Sequence, residues 1–323
     1  MKQIVRAAAR LVGLTCLMLV GSSQAQDVYP SKPIRIVVPS TAGSGTDAWV
    51  RSLSRYLGEK YGWQFVIDNK AGGNGFIAIA EFLRQPNDGY TLFAGGSSVL
   101  SSNPAQFKKL PYDPIGDFTP VGWGVSAPYV LIAAPKHKVR TAAELMDLLR
   151  KNPGKLSYGS SGANRNSAER FLQMAQLKAL HVPYKANPPA ITDLIGGHVD
   201  YMFVDTVISL PQIKGGALTP LAVTSARRLK QLPAVPTMME IGFADFQMAA
   251  WNGLFLHKNA VPAHVTTLNK AILEYSAAAA GGDFMETAGG FTEMFNSAQI
   301  TKRIEEEIGM LREVARRAGI EPE

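Results

Sequence analysis

The sequence is poor in the residues that carry covalent and redox chemistry. It holds one cysteine, Cys16, and five histidines in 323 residues. Cys16 lies in an N-terminal stretch built like a secretory leader. That stretch has a basic start at Lys2, Arg6 and Arg10, an apolar run from Leu11 to Val20, and a small-residue end, "SQA", closing on Ala25. The run is short of the roughly 20 apolar residues that cross a bilayer, and "GLT" before Cys16 is a poor lipoprotein processing site. Residues 1–25 are therefore expected to be a signal peptide removed on export. The mature chain then has no cysteine, which excludes a disulfide, a thiolate nucleophile and a cysteine–metal cluster. No later segment is long and apolar enough for a transmembrane helix, so no membrane insertion is expected after cleavage.

Other absences narrow the chemistry further. There is no G-x-S-x-G elbow, no pair of histidines at helical metal-ligand spacing and no phosphate-loop lysine. His137, His181, His198, His257 and His264 stand singly, and a lone histidine is more often structural than catalytic. No catalytic set and no metal ligands are expected. The formal charge of +7 falls once the leader's three basic residues go, leaving 30 Lys and Arg against 26 Asp and Glu, or +4. The excess is scattered, with no basic run to bind nucleic acid. It suits a small anionic ligand.

What is present is an alternation of short apolar runs and amphipathic stretches. "IRIVVP" leads to a helix over 47–61, "QFVIDN" through "KAGGNG" to one over 76–84, and "YTLFAG" follows the turn "PNDG". "TAAELMDLLRKN" opens on Thr141 as N-cap with Glu144 as its capping-box partner. "KLSYGSSG" precedes a helix near 167–179, "ALHVPYK" one over 188–196, and "VDYMFVD" one over 208–214. This order predicts an α/β fold with parallel sheets covered by helices on both faces. Continuous runs such as "VLIAA" fit strands buried on both sides. Roughly 300 residues suggest two domains. No Gly/Ser linker separates them, so the chain is expected to cross on strands, first at "PVGWGVSAPYVLIA".

Ligands of α/β folds collect outside the carboxyl ends of strands. Three donor-rich segments sit directly after strands: "PSTAGSGTD", "GGSSVLSSN" and "GSSGANRNS". The candidate ligand-binding residues are Ser40, Thr41, Ala42, Gly43, Ser44, Gly45, Thr46 and Asp47 in the first, and Ser97 and Ser98 in the second. The third supplies Ser160, Ser161, Gly162, Ala163, Asn164 and Arg165; Asp205, at the end of "YMFVD", completes the set. Glycines admit a close backbone approach, and N–H and hydroxyl groups at a helix start donate to an anion. Singly, each loop is better explained by turn and capping chemistry, and only the three together after strands favour a ligand site; Asp47 reads better as a first-turn acid than as a ligand contact. Gly43, Gly45 and Ala48 also spell G-x-G-x-x-A with Asp68 following, but "PSTA" separates the first glycine from the strand, unlike a dinucleotide loop. No cofactor is expected. Trp49, Trp63, Trp123 and Trp251 read as core, with Trp251 also beside a pocket whose size depends on Phe93, Phe203, Trp251 and Arg165.

Several stretches together, in order, resemble the Bug-type extracytoplasmic solute receptors of the tripartite tricarboxylate transporter group. They are "YPSKPIRIVVPSTAGSGTDAWVRSLSRYL", "DNKAGGNGFIAIAEFL", "PNDGYTLFAG", "KLPYDPIGDFTPV", "PGKLSYGSSG", "HVPYK", "LIGGHVDYMF", "LAVTSARRLKQLPAVPTMMEIGF" and "WNGLF". The similarity runs from about Tyr29 to the C-terminus. It implies a periplasmic-binding-protein-like fold of type II, with two doubly wound α/β domains around a cleft and crossing hinge strands. Domain 1 is then 27–124 plus 248–323, and domain 2 is 125–247. It also implies a periplasmic protein, expected to be a monomer, that holds a ligand carboxylate on the loop 39–47, with 159–166 and the segment around Asp205 contributing from the other side. Departures fall in the binding loops. Relatives commonly carry "GSxGxGSxxHL" where this chain has "GSSGANRNSAERF", which brings in Arg165 and Asn166. "PFPAGGxxD" is here "PSTAGSGTD", and "VPYKG" is "VPYKA". Arg165 in this position can pair a second carboxylate bidentately or stand as a solvated surface arginine.

The leading expectation is a periplasmic solute-binding protein, not an enzyme. It captures a small di-/tricarboxylate or aromatic carboxylate by cleft closure and hands it to a transporter membrane subunit or a sensor. The alternatives are a secreted hydrolase or lyase acting on a carboxylated substrate, and a dinucleotide-dependent oxidoreductase.

Overall fold

A computed structural model describes residues 29–317 and residue 322. The expected leader and Cys16 lie outside the described residues. Contacts divide the chain after Ser31, and the second unit, Lys32–Glu323, holds every element below.

Among the described residues ten strands form one curled sheet in the order β2-β1-β3-β9-β4-β7-β5-β6, with β8 (Thr219–Val223) and β10 (Phe291–Thr292) both pairing β4. One wing is β1 (Ile34–Val38), β2 (Phe65–Asn69) and β3 (Thr91–Gly96); the other is β5 (Ser157–Ser160), β6 (Leu180–Pro183) and β7 (Tyr201–Asp205). Within each wing the strands run parallel, as the alternation requires. The centre does not. β3 pairs β9 (Ala249–His257) antiparallel, and β9 and β7 both pair β4 (Phe118–Ala133) antiparallel. The reason is topological. β4 carries the chain from the first wing to the second and β9 brings it back, so the two crossings run in opposite directions. "PVGWGVSAPYVLIA" is that first crossing.

Period-two alternation gives both faces of the second wing a core. Tyr129, Leu131, Tyr201 and Phe203 face one cluster with Leu145, Leu149, Tyr158 and Phe171. Val130, Ile132, Met202 and Val204 face another with Ile191, Leu194 and Leu210. The first wing packs Val37, Ile79, Phe82, Phe93, Trp123, Trp251 and Phe255 against Ile300, Ile304 and Ile308. Each such side chain, fully buried, contributes about 1.5–3 kcal/mol of transfer free energy.

Helix α1 (Gly45–Tyr61) starts at Ser44, whose side chain accepts from Asp47 N, and buries Trp49, Val50, Leu53 and Leu57. α2 is Phe76–Leu83 and α3 the short turn Asn103–Gln106. α4 (Ala142–Lys151) has Thr141 accepting from Glu144 N at 3.2 Å, while Glu144 reaches back to Arg140 N rather than to Thr141. α5 (Asn164–Ala175) begins and ends earlier than the expected 167–179, because Asn164 is fixed by bonds to Asn187 and Phe203 O and Gln176 adopts a left-handed cap. α6 (Asn187–Gly196), α7 (Thr206–Lys214), α8 (Pro262–Ala277), α9 (Ala279–Ala288) and α10 (Ser297–Arg317) complete the helices.

Candidate functional site

A cavity of about 640 Å³ opens between the two wings. The loops after all six parallel strands line it: Pro39–Thr46 after β1, Ala71–Gly75 after β2, Ser97–Val99 after β3, Ser160–Arg165 after β5, Tyr184–Pro188 after β6 and Asp205–Ile208 after β7. Val125, Ala127 and Tyr129 of β4 and Ala250, Trp251 and Asn252 of β9 also line it. This is where the carboxyl-end rule places a ligand.

The first loop presents a helix start. Ser40 and Ser44 hydroxyls lie 2.6 Å apart, and Thr46 Oγ1 donates to Asn252 Oδ1 at 2.8 Å. Asp47 N is taken by Ser44 Oγ and Ala48 N by Ser44 O, but the amides of Gly45 and Thr46 at the very start of α1 have no carbonyl within the helix to donate to and can serve an anion. Asp47 stands behind this loop and off the cavity wall. Its carboxylate accepts from Gly43 N, Arg51 Nε and Asn69 Nδ2, which also donates to Ser40 O. Burial opposes its charge, but the bonds from Arg51, Gly43 and Asn69 outweigh it and hold its pKa below the usual value. Ala42 and Gly43 also lie off the wall. Asp68, the acid of the dinucleotide pattern, is ion-paired with Arg35 and Lys70 and does not line the cavity.

The second loop is a single wide turn of π geometry, Ser98–Ser102, rather than an open loop. Ser97 and Ser98 face the cavity. Tyr112 OH donates to Val99 O, and Asn103 Nδ2 to Asn74 O at 2.8 Å, tying the turn to the Ala71–Gly75 loop.

The third loop brings Ser160, Ser161, Gly162, Ala163, Asn164 and Arg165 to the opposite wall. Ser161 N donates to Asn164 Oδ1 at 2.7 Å, and Asn164 Nδ2 donates to Asn187 Oδ1 and Phe203 O. Arg165 is not a free surface side chain. It is one-quarter exposed, its Nε is buried without a hydrogen bond, and its acid neighbour Glu169 is 3.6 Å away and already accepts from Tyr158 OH. Ser160 Oγ and His181 Nε2 lie 2.7 Å apart. Burial first, then the charge of Arg165, push His181 down to about 4, so near neutral pH it is a weak base for activating a serine. Arg165, His181 and Lys185 are the basic groups on the wall, and Asp205 is its acid. Asp205 caps α7 through Ile208 N and accepts from Asn187 Nδ2, and burial raises its pKa to about 6.

Sequence reasoning did not single out Asn74, Asn103, Tyr129, His181, Tyr184, Lys185, Asn187 or Asn252 for the wall. The stretch "KAGGNG" was visible as a glycine-rich connection after a strand. Asn252 arrives only through the pairing of β9 with β3, which no local pattern reveals. Trp251 lines the cavity while stacked on Trp123 at 4.5 Å, whereas Phe93 and Phe203 point into the cores. No group of three metal-ligating side chains occurs among the described residues.

The sequence profile of the "Tripartite tricarboxylate transporter family receptor", TctC, matches residues 49–319. The chain belongs to that family. It is 32% identical over 252 residues to Protein BugT of Bordetella pertussis, covering 77% of each chain. Among solved structures it is similar to R. palustris Rpa4515 with adipate, with a TM-score of 0.87 and 31% identity, covering 91% of this chain and all of that one. It is also similar to MatC from Rhodopseudomonas palustris with bound malate, with a TM-score of 0.81 and 25% identity, covering 88% of this chain and 99% of that one. The mixed α/β fold is thus that of the Bug-type periplasmic solute-binding proteins. The family is one of receptors, and the two similar structures hold the carboxylates adipate and malate. Among the described residues, no helix is long and apolar enough to cross a membrane.

Proposed function

We propose that the protein is a periplasmic receptor that captures a small dicarboxylate in the cavity between its wings and passes it to a membrane transporter or sensor. The observation that carries this reading is the convergence of donor-bearing segments from both wings on one cavity. The start of α1, Ser97, Ser98 and Ser102 after β3, and the third loop face one cavity, whose wall sets the basic side chains of Arg165 and Lys185 against one acid, Asp205, while burial keeps His181 neutral near pH 7. One ligand carboxylate sits at Ser40–Thr46, where backbone N–H groups and hydroxyls converge. The other sits at Arg165, whose guanidinium has donors to spare for a carboxylate. Adipate and malate, bound by two similar receptors, are both dicarboxylates.

The division into 27–124 plus 248–323 and 125–247 belongs to the same reading. In its support, β4 loses register with β9 between Trp123 and Ser126, where a hinge would flex. Ligand binding favours closure only through its greater affinity for the closed state.

Thermal-shift titration with mono-, di- and tricarboxylates tests the proposal. A dicarboxylate at 100 times its Kd should stabilise the fold by about 2.7 kcal/mol. Arg165→Gln should weaken dicarboxylates more than monocarboxylates. No shift with any carboxylate, or turnover of one, overturns the reading.

A further inference from the structure

The wide turn Ser98–Ser102 follows β3 in the first wing, and the first turn of α5 follows β5 in the second. They meet directly. Asn166 Nδ2 donates to Ser102 Oγ at 2.8 Å, and both residues are buried, at 9% and 1% exposure. Beside them Gly162, at φ +64°, lies so close to Ser98 that a Cβ would stand 3.0 Å from its hydroxyl oxygen. Asn166 itself does not line the cavity, although its neighbours Asn164 and Arg165 and its partner Ser102 do. The turn is held from behind by the C-terminal helix, where Ser101 Oγ donates to Glu307 at 2.8 Å. Wide turns of this geometry are uncommon and concentrate at functional sites.

We infer that Asn166 and Ser102 form a latch across the cleft, a pair of positioning residues that set ligand affinity by holding the closed state. This rests on the receptor reading above. In an open cleft both groups meet water; on closure each is desolvated and satisfied by the other. Removing one leaves its partner buried without a hydrogen bond, a penalty confined to the closed state. Where a ligand is retained by closure, a smaller closed population lowers its apparent affinity by the same factor. The loss appears as faster release, because the open form that admits ligand is unchanged.

The test compares wild type, Asn166→Ala, Ser102→Ala and the double variant, with adipate and malate as probes. Stopped-flow kinetics and melting temperatures are read on all four. The latch predicts about tenfold weaker binding for Asn166→Ala, carried by the dissociation rate. The ligand-free melting temperature should stay close to wild type while the ligand-induced rise shrinks. The double variant should bind no more weakly than the worse single variant, since both break one bond. Unchanged dissociation rates, additive losses, or a ligand-free melting temperature that falls as far as the liganded one overturn the latch. A wild type that binds neither these probes nor any other carboxylate overturns the receptor reading and the latch with it, an outcome seen before any variant is made.

Discussion

Asn187 donates its side-chain amide to the Asp205 carboxylate at 3.2 Å, on a cavity wall where Asp205 is the acid among three basic groups. Burial raises the Asp205 pKa from 3.8 to about 6, against the opposing bonds from Ile208 and Asn187. The native state therefore holds this proton more tightly than the unfolded chain. Its contribution to stability is full below the unfolded value and is lost as pH rises through about 6. That difference between the folded and unfolded chain is worth about 3 kcal/mol. Asp205→Asn keeps an oxygen to cap α7. It should flatten the dependence of the melting temperature on pH between 4 and 6, while its amide nitrogen, facing the Asn187 donor, offsets the gain at pH 7. Parallel pH profiles for the two proteins would refute the assignment.

Asp47 has the opposite sign. Its lowered pKa means that its contribution is present above the unfolded value of 3.8 and lost as pH falls through the folded value. Asp47→Ala leaves Gly43 N and Arg51 Nε without their acceptor and Asn69 with Ser40 O alone. A cost of about 2–3 kcal/mol in urea unfolding is expected. Ligand affinity should fall as well, because the loop that loses its brace is the one facing the cavity.

Glu307 accepts from both Trp251 Nε1 and Ser101 Oγ through one oxygen, in the interior behind the cavity. Burial raises its pKa. Glu307→Gln retains an oxygen for both donors and should change stability by less than about 1 kcal/mol. Glu307→Ala strands two buried donors and leaves a void, and should cost about 2–4 kcal/mol. Equal losses in denaturant unfolding would show that the shared acceptor is not what matters.

Gly75, at φ +85°, would place a Cβ 2.3 Å from Val99 Cγ1. Gly75→Ala adds a left-handed strain of about 1–3 kcal/mol to a collision with a buried valine. It should destabilise the protein and displace the Ala71–Gly75 loop, read as a lower melting temperature and weaker carboxylate binding. A variant with wild-type values in both would show that the loop yields freely.

The parts of the site legible in the sequence are those built locally. "PSTAGSGTD" and "GSSGANR" declare themselves as small, donor-rich segments after a strand, and Asp47 as a first-turn acid follows from its position at a helix start. Residues supplied by long-range pairing were hidden. Asn252 reaches Thr46 across 206 positions, and Asn166 reaches Ser102 across 64. The wide turn at Ser98–Ser102 has no sequence signature, since serines and small apolar residues suit many conformations. The alternation of elements gave the parallel wings. The antiparallel centre depends on the chain crossing twice, which local pattern does not encode.

That double crossing also orders how the chain acquires its structure. β3 leaves one edge open until Phe255 arrives opposite Phe93, and Phe118 waits for His257. The first wing therefore cannot complete its sheet during emergence of the N-terminal half, and the second wing has to be traversed before the edge is covered. Such non-local closure is slow to fold and leaves an unpaired strand exposed to other chains in the interval. Truncation anywhere before 249 would remove β9 and leave that edge permanently open to aggregation.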